Sequence, residues 1–150
     1  MLTLGDIGFA APRTLLEGHG LKLIEVADGA DIPGSYWGNP EAGLIGHDVY
    51  ARRDTPVHSL LHEAAHLLVM PQEKRAGVHT DASDCQREED ATCALQIILA
   101  DALPGVGRDR LMADMDAWGY TFRLGSARDW FERDADDARA FLAARGLPAH

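Results

Sequence analysis

The chain has 150 residues, seven histidines, two cysteines and a formal net charge of −10. A length of this order is one ordinary domain, able to bury about 68 to 70% of the surface its unfolded form exposes. The acid excess argues against a nucleic-acid surface, which needs clustered Lys and Arg, and no apolar run reaches the roughly 18 residues of a membrane span. The N-terminal stretch MLTLGDIG has neither a basic n-region nor an apolar h-region, so no signal peptide is expected. Cys85 and Cys93 alone do not indicate a disulfide framework. The expected compartment is a reducing cytoplasm.

In chain order the pattern predicts an α+β arrangement. A short helix is expected over residues 12–17, closed by Gly18 or Gly20, then a strand over residues 21–27. Residues 28–42, with Gly29, Pro33, Gly34, Gly38 and Pro40 around Tyr36 and Trp37, read as a loop. A second strand is expected over residues 44–51. A helix follows, with Thr55 as N-cap, Pro56 at its first position and Met70-Pro71 as its stop. After a connection over residues 71–86, a further helix spans 87–102. The last third reads as helical: residues 108–117 ending near Gly119, an extended link over 120–124, a helix begun by Ser126 with Asp129, and a final helix capped by Asp134 and stopped by Gly146 and Pro148. Trp118, Tyr120, Phe122, Trp130, Phe131 and Phe141 are expected to build core rather than to wall a cleft.

The most informative stretch is His62-Glu63-Ala64-Ala65-His66, an H-E-x-x-H signature. Histidines four residues apart on a helix lie one above the other, so both imidazoles can reach one metal ion. Glu63 is placed to act as general base on water rather than as a ligand. The flanks Ser59-Leu60-Leu61 and Leu67-Leu68-Val69 are those of a buried helix. His58, one turn earlier, is either a neighbour of the metal site or an exposed helical histidine.

A catalytic zinc takes three protein ligands and leaves one position open. In residues 87–102 the apolar stripe Ala91, Leu95, Ile98, Leu99 and Ala102 extends back to Glu88, whereas Glu89 shares a face with Thr92, Cys93 and Gln96. Periodicity therefore favours Glu88 as third ligand, with Glu89, Asp84 and His79 as alternatives. A metzincin would need Gly and His where Val69 and Gln72 stand. Oxyanion-stabilising donors are sought among His79, Tyr120, Tyr50 and His47.

With Glu88-Glu89-Asp90-Ala91 forming an E-x-x-A pattern and Gly43 to Tyr50 standing as a strand before the motif, residues 43–103 resemble the gluzincin metallopeptidases. The local pattern is most similar to the ImmA/IrrE-type regulatory peptidases. Thr92 stands where those families commonly carry Asp or Asn. The resemblance implies a small single-domain zincin-like fold, with the active-site helix on a short sheet and a helical C-terminal part. It also implies a gluzincin ligand set, two motif histidines with a glutamate from a second helix, and a regulatory protein such as a repressor as substrate. The residues themselves point to one Zn2+ per chain held by His62, His66 and Glu88, to peptide hydrolysis with Glu63 as base, and to a peptide or protein substrate. If residues 44–51 are an exposed edge strand, that substrate is an extended segment added to it. The alternative is a zinc-stabilised interaction protein without turnover.

Overall fold

The structure is a computed structural model that describes residues 1–35, 41–71, 74, 77 and 86–150. The Pro71–Gln86 connection lies largely outside those residues, as do Tyr36, Trp37, His79, Asp84 and Cys85. The described chain is α+β. It runs α1 (Leu4–Ile7), α2 (Ala10–Gly18), β1 (Lys22–Glu25), β2 (Gly43–Ile45), β3 (Asp48–Ala51), α3 (Val57–Val69), α4 (Gln86–Leu99) with a 3-10 turn (Ala100–Ala102), α5 (Gly107–Trp118), α6 (Ala127–Arg133) and α7 (Asp136–Ala144).

The expected strand over residues 44–51 is two strands. Gly46 adopts φ 62°, the positive value a two-residue hairpin turn requires at its first position, and folds β2 back antiparallel on β3 with Leu44 opposite Val49. On the other side β1 runs parallel to β3, with Leu23 opposite Val49. The order β1-β3-β2 therefore puts Asp48–Ala51 in the middle of the sheet, not at an edge. The outer side of β2 is met by the preceding chain, where the Leu44 N–H donates to the Gly34 carbonyl at 3.3 Å. The approach is close: a Cβ at Gly43 would stand 1.9 Å from the Pro33 carbonyl oxygen, so only glycine fits.

Helix α3 begins one residue later than expected. Pro56, at ψ 142°, is the N-cap, and no side chain caps the helix. Thr55 is spent elsewhere, its Oγ1 accepting from the Arg52 N–H at 2.9 Å. The Val57 N–H instead donates to the Leu2 carbonyl at 3.0 Å, and Thr3 bridges to Pro56, so the first residues of the chain satisfy the open end of the helix. At the other end the Arg145 guanidinium donates to the Val69 carbonyl, which covers the helix C-terminus from the end of α7.

Between these ends α3 is buried at every position except His62 and Glu63. It packs along α4, which is itself buried without interruption from Ala91 to Leu99. Leu60, Leu61, Leu67, Leu95 and Ile97, all fully buried, form the seam of the core with Leu44 and Val49 from the sheet and Met112 and Met115 from α5. At roughly 1.5 to 3 kcal/mol for each large apolar side chain removed from water, this seam is the main stabilising feature of α3 and α4.

In the last third, Ser126 caps α6 as expected, accepting from the Asp129 N–H at 3.1 Å. Asp134 does not cap the final helix. It closes α6 and pairs with Arg123 at 2.7 Å, while Ala135 is the N-cap of α7. Residues 120–124 are irregular rather than extended strand, with Leu124 at φ 71°. Trp130 and Phe131 are core, whereas Tyr120, Phe122 and Phe141 are only partly buried and Trp118 is exposed.

Candidate metal centre

His62 and His66 stand one turn apart on α3, with their Nε2 atoms 3.0 Å from each other. Glu89, on the first turn of α4, faces both: Oε1 is 3.1 Å from His62 Nε2 and Oε2 is 3.3 Å from His66 Nε2. These three residues are the group of potential ligands that the described residues bring together. Tetrahedral zinc with bonds of about 2.0 to 2.1 Å sets its ligand atoms about 3.3 Å apart. The observed separations are close to that spacing, and one ligand atom from each residue lies within 4.8 Å of the other two, so the group fits one ion on two imidazoles and a carboxylate. Zinc accepts two imidazoles and a carboxylate readily, and so do other divalent ions.

Glu88, favoured by periodicity, is not in this group; its neighbour Glu89 is. The periodicity argument assumed that the apolar stripe marks the inner face of α4 and the polar one its outer face. With Ala91 to Leu99 buried all round, there is no outer face to set the phase. The side of α4 that meets the motif is the polar row Glu89, Cys93 and Gln96, spaced at one turn and then nearly another.

Around this group lies a buried polar layer. Gln96, wholly inaccessible, has Oε1 2.9 Å from His62 Nδ1, and its Nε2 donates to the His58 carbonyl at 2.8 Å and to the Tyr120 hydroxyl at 3.3 Å. The Tyr120 hydroxyl is also 3.1 Å from His58 Nδ1, and the Tyr120 ring stands edge-on to that of His62 at 5.6 Å. Trp118 covers His58 with ring centroids 4.9 Å apart. His58 is thus a buried histidine behind the metal group, and its Nε2 has no hydrogen-bond partner among the described residues.

Charge follows burial here. Desolvation, helped by the nearby His62 charge, lowers His58 to a pKa of about 4, so it is neutral at pH 7. Desolvation acts against a charge on His62 as well, but the hydrogen bonds it makes to Cys93 and Glu89 favour the charged form, and its pKa is raised well above 6.5. Burial would raise Glu89, and the hydrogen bond and charge of His62 bring it below its ordinary value. Without metal, His62 and Glu89 therefore form an imidazolium–carboxylate pair. Desolvation pushes the Tyr120 phenol up to about 12, which keeps it protonated.

Glu63 is half-buried beside His62, close enough for its charge to act on Tyr120. Glu41 was missed by sequence reasoning. It is raised by desolvation and feels the His62 charge, and its position is set by the next residue: the Ala42 N–H donates to Ser59 Oγ on α3 at 2.9 Å. A glutamate inside a Gly/Pro-rich loop carried no signal that it would approach the motif. Of the four oxyanion donors considered, Tyr120 is seated beside His62, Tyr50 lies on β3, His47 is exposed in the hairpin turn, and His79 lies outside the described residues. Cys93 is a buried free thiol, and any pairing with Cys85 also falls outside those residues.

A cavity of about 320 Å³, lined by Gln86, Asp90, Thr121, Phe122, Arg123 and Trp130, flanks the first turn of α4. A larger one of about 540 Å³ is walled by Thr3, Asp6, Asp28, Arg53 and Asp54 and contains none of the metal-centre residues. Comparison of the chain with protein-family models, with curated proteins and with solved structures found no match in any of the three.

Proposed function

We propose that this chain is a zinc-dependent metallopeptidase of zincin-like fold, in which His62, His66 and Glu89 hold the ion and Glu63 is the general base. The observation that carries the reading is the junction of α3 and α4: a helix buried along its whole length opens only at His62 and Glu63, where a carboxylate from the second helix meets both motif histidines. The gluzincin likeness supplies the same logic, two histidines from one helix and a glutamate from the next, with Glu89 rather than Glu88 in that place.

A divalent ion bound there would supply Lewis acidity, polarising a scissile carbonyl and lowering the pKa of a water molecule towards about 7. Glu63 takes the proton of the attacking water and passes it to the departing amine. Tyr120, neutral and wedged between His58 and Gln96, keeps a phenolic hydroxyl beside His62 at the rim of the reaction zone. The substrate is an extended segment of a peptide or protein. Its docking edge is not residues 48–51, which are paired on both sides.

A purely structural zinc site needs ligands but no adjacent base, so Glu63 separates the two readings. The test is elemental analysis of chelator-free protein, followed by a peptide-library hydrolysis assay on wild type and Glu63→Gln. One zinc per chain in both proteins, with cleavage lower by about 10²- to 10⁴-fold in the variant, is expected. Undiminished cleavage by Glu63→Gln overturns the catalytic assignment, and a metal-free wild type overturns the whole reading.

A further inference from the structure

We infer that Gln96 is the positioning residue of the metal centre: it holds the His62 Nδ1–H and so turns Nε2, the atom that gives up its proton when a metal ion binds, towards His66 and Glu89. The inference deepens the metal-site reading above and rests on it for its functional meaning.

The direction of every hydrogen bond follows from one partner that can only accept. The His58 main-chain carbonyl has no proton to give, so the Gln96 atom 2.8 Å from it is the amide nitrogen. The other end of the amide is then the oxygen, which has only lone pairs to offer. His62 Nδ1, 2.9 Å away, must therefore be the donor. A neutral imidazole protonated on Nδ1 has its one free lone pair on Nε2, the atom that stands 3.0 Å from His66 Nε2 and 3.1 Å from Glu89 Oε1. The second proton of the same amide nitrogen reaches the Tyr120 hydroxyl at 3.3 Å, so the side chain is held at three points and cannot invert without breaking all three.

Placement in the fold adds to this. Gln96 sits in the uninterrupted buried run of α4 with apolar Leu95 and Ile97 on either side, and an amide there costs stability unless it is fully bonded. It lies seven residues after Glu89, two turns along the same face, so one helix delivers both the carboxylate that meets the histidines and the amide that orients one of them. The orienting group is a neutral amide rather than a carboxylate. It fixes the ring without adding a second negative charge next to Glu89.

The test compares wild type with Gln96→Met, which keeps length and helix preference but has no oxygen to accept from His62. Zinc affinity is measured by competition with a chromophoric chelator, and the His62 ring protons are followed by NMR on protein carrying ¹⁵N-labelled histidine. Expected are a downfield, slowly exchanging His62 Nδ1–H in wild type that exchanges rapidly in Gln96→Met, and zinc binding about 10- to 100-fold weaker in Gln96→Met. Wild-type zinc affinity in folded Gln96→Met, or an unchanged Nδ1–H signal in it, overturns the inference. Loss of thermal stability in Gln96→Met with no loss of affinity per folded molecule overturns it too, since that is what mere packing predicts. If wild type takes up no zinc, the metal reading fails by itself, and the exchange rate of the imidazolium Nδ1–H in wild type against Gln96→Met still tests the hydrogen bond to Gln96.

Discussion

Glu89 spans both motif histidines, one carboxylate oxygen on each Nε2, at 3.1 Å from His62 and 3.3 Å from His66. Replacing Glu89 by Ala is expected to abolish stoichiometric zinc binding or weaken it by several orders of magnitude, while Glu88→Ala retains one zinc per chain. Metal analysis after gel filtration reads both. Loss in Glu88→Ala with retention in Glu89→Ala would return the ligand to the residue that helical periodicity favours.

Zinc affinity should depend on pH with a defined sign. Metal binding needs a lone pair on His62, whose pKa without metal lies well above 6.5, so binding expels a proton throughout the neutral range. Affinity is expected to rise with pH, by up to about tenfold per pH unit from this group, and to level off above the pKa of His62. Calorimetry in buffers of different ionisation enthalpy counts the protons released at pH 7. No net release would contradict the paired state of His62 and Glu89.

Acid should unfold the protein partly through His58. Its folded pKa of about 4 lies below the unfolded value of 6.5, so the neutral form is favoured in the fold. The contribution is fully present above pH 6.5 and is lost as the pH falls towards 4, a change of order 3 kcal/mol at about 1.4 kcal/mol per pH unit. His62 on α3, Asp114 on α5 and Tyr120 are the groups whose charges and contacts bear on it. Chemical denaturation of wild type and His58→Phe at pH 7 and pH 4.5 should show a smaller pH-dependent loss in the variant. Equal losses would assign the acid sensitivity elsewhere.

Ser59→Ala removes the acceptor of the Ala42 N–H and leaves that amide buried without a partner. Destabilisation of about 1 to 3 kcal/mol is expected in urea unfolding. The same bond holds the loop that carries Glu41 against α3, so protease sensitivity near Glu41 should increase. A neutral effect on both measurements would show that the contact contributes little.

How far the sequence reveals the molecule is clear from particular residues. The H-E-x-x-H helix is legible because a chemical motif and buried flanks agree on one phase, and Ser126 is legible because a cap acts within one turn. The turn at Gly46 and His47 was hidden in a run that alternates like a single strand, and only pairing with β1 shows that a central and an outer strand lie there. Thr55 reads as a cap by type, but the Leu2 carbonyl, more than fifty positions away, takes that place, and local sequence holds no trace of it. Glu89 and Gln96 were placed on the same face as Cys93 by spacing alone. Which face points inward is decided by packing on several sides of α4, and that information is spread through the whole chain.

The proposed ligands come from the two helices whose mutual packing forms the seam of the core, so an ion held between them would stitch together the parts that must separate when the chain unfolds. Metal uptake is then legible as heat resistance: at free zinc a hundred times its dissociation constant, binding adds about 2.7 kcal/mol to the folded state. A thermal-shift plate of divalent cations can rank the ions this chain prefers before any substrate for it is known.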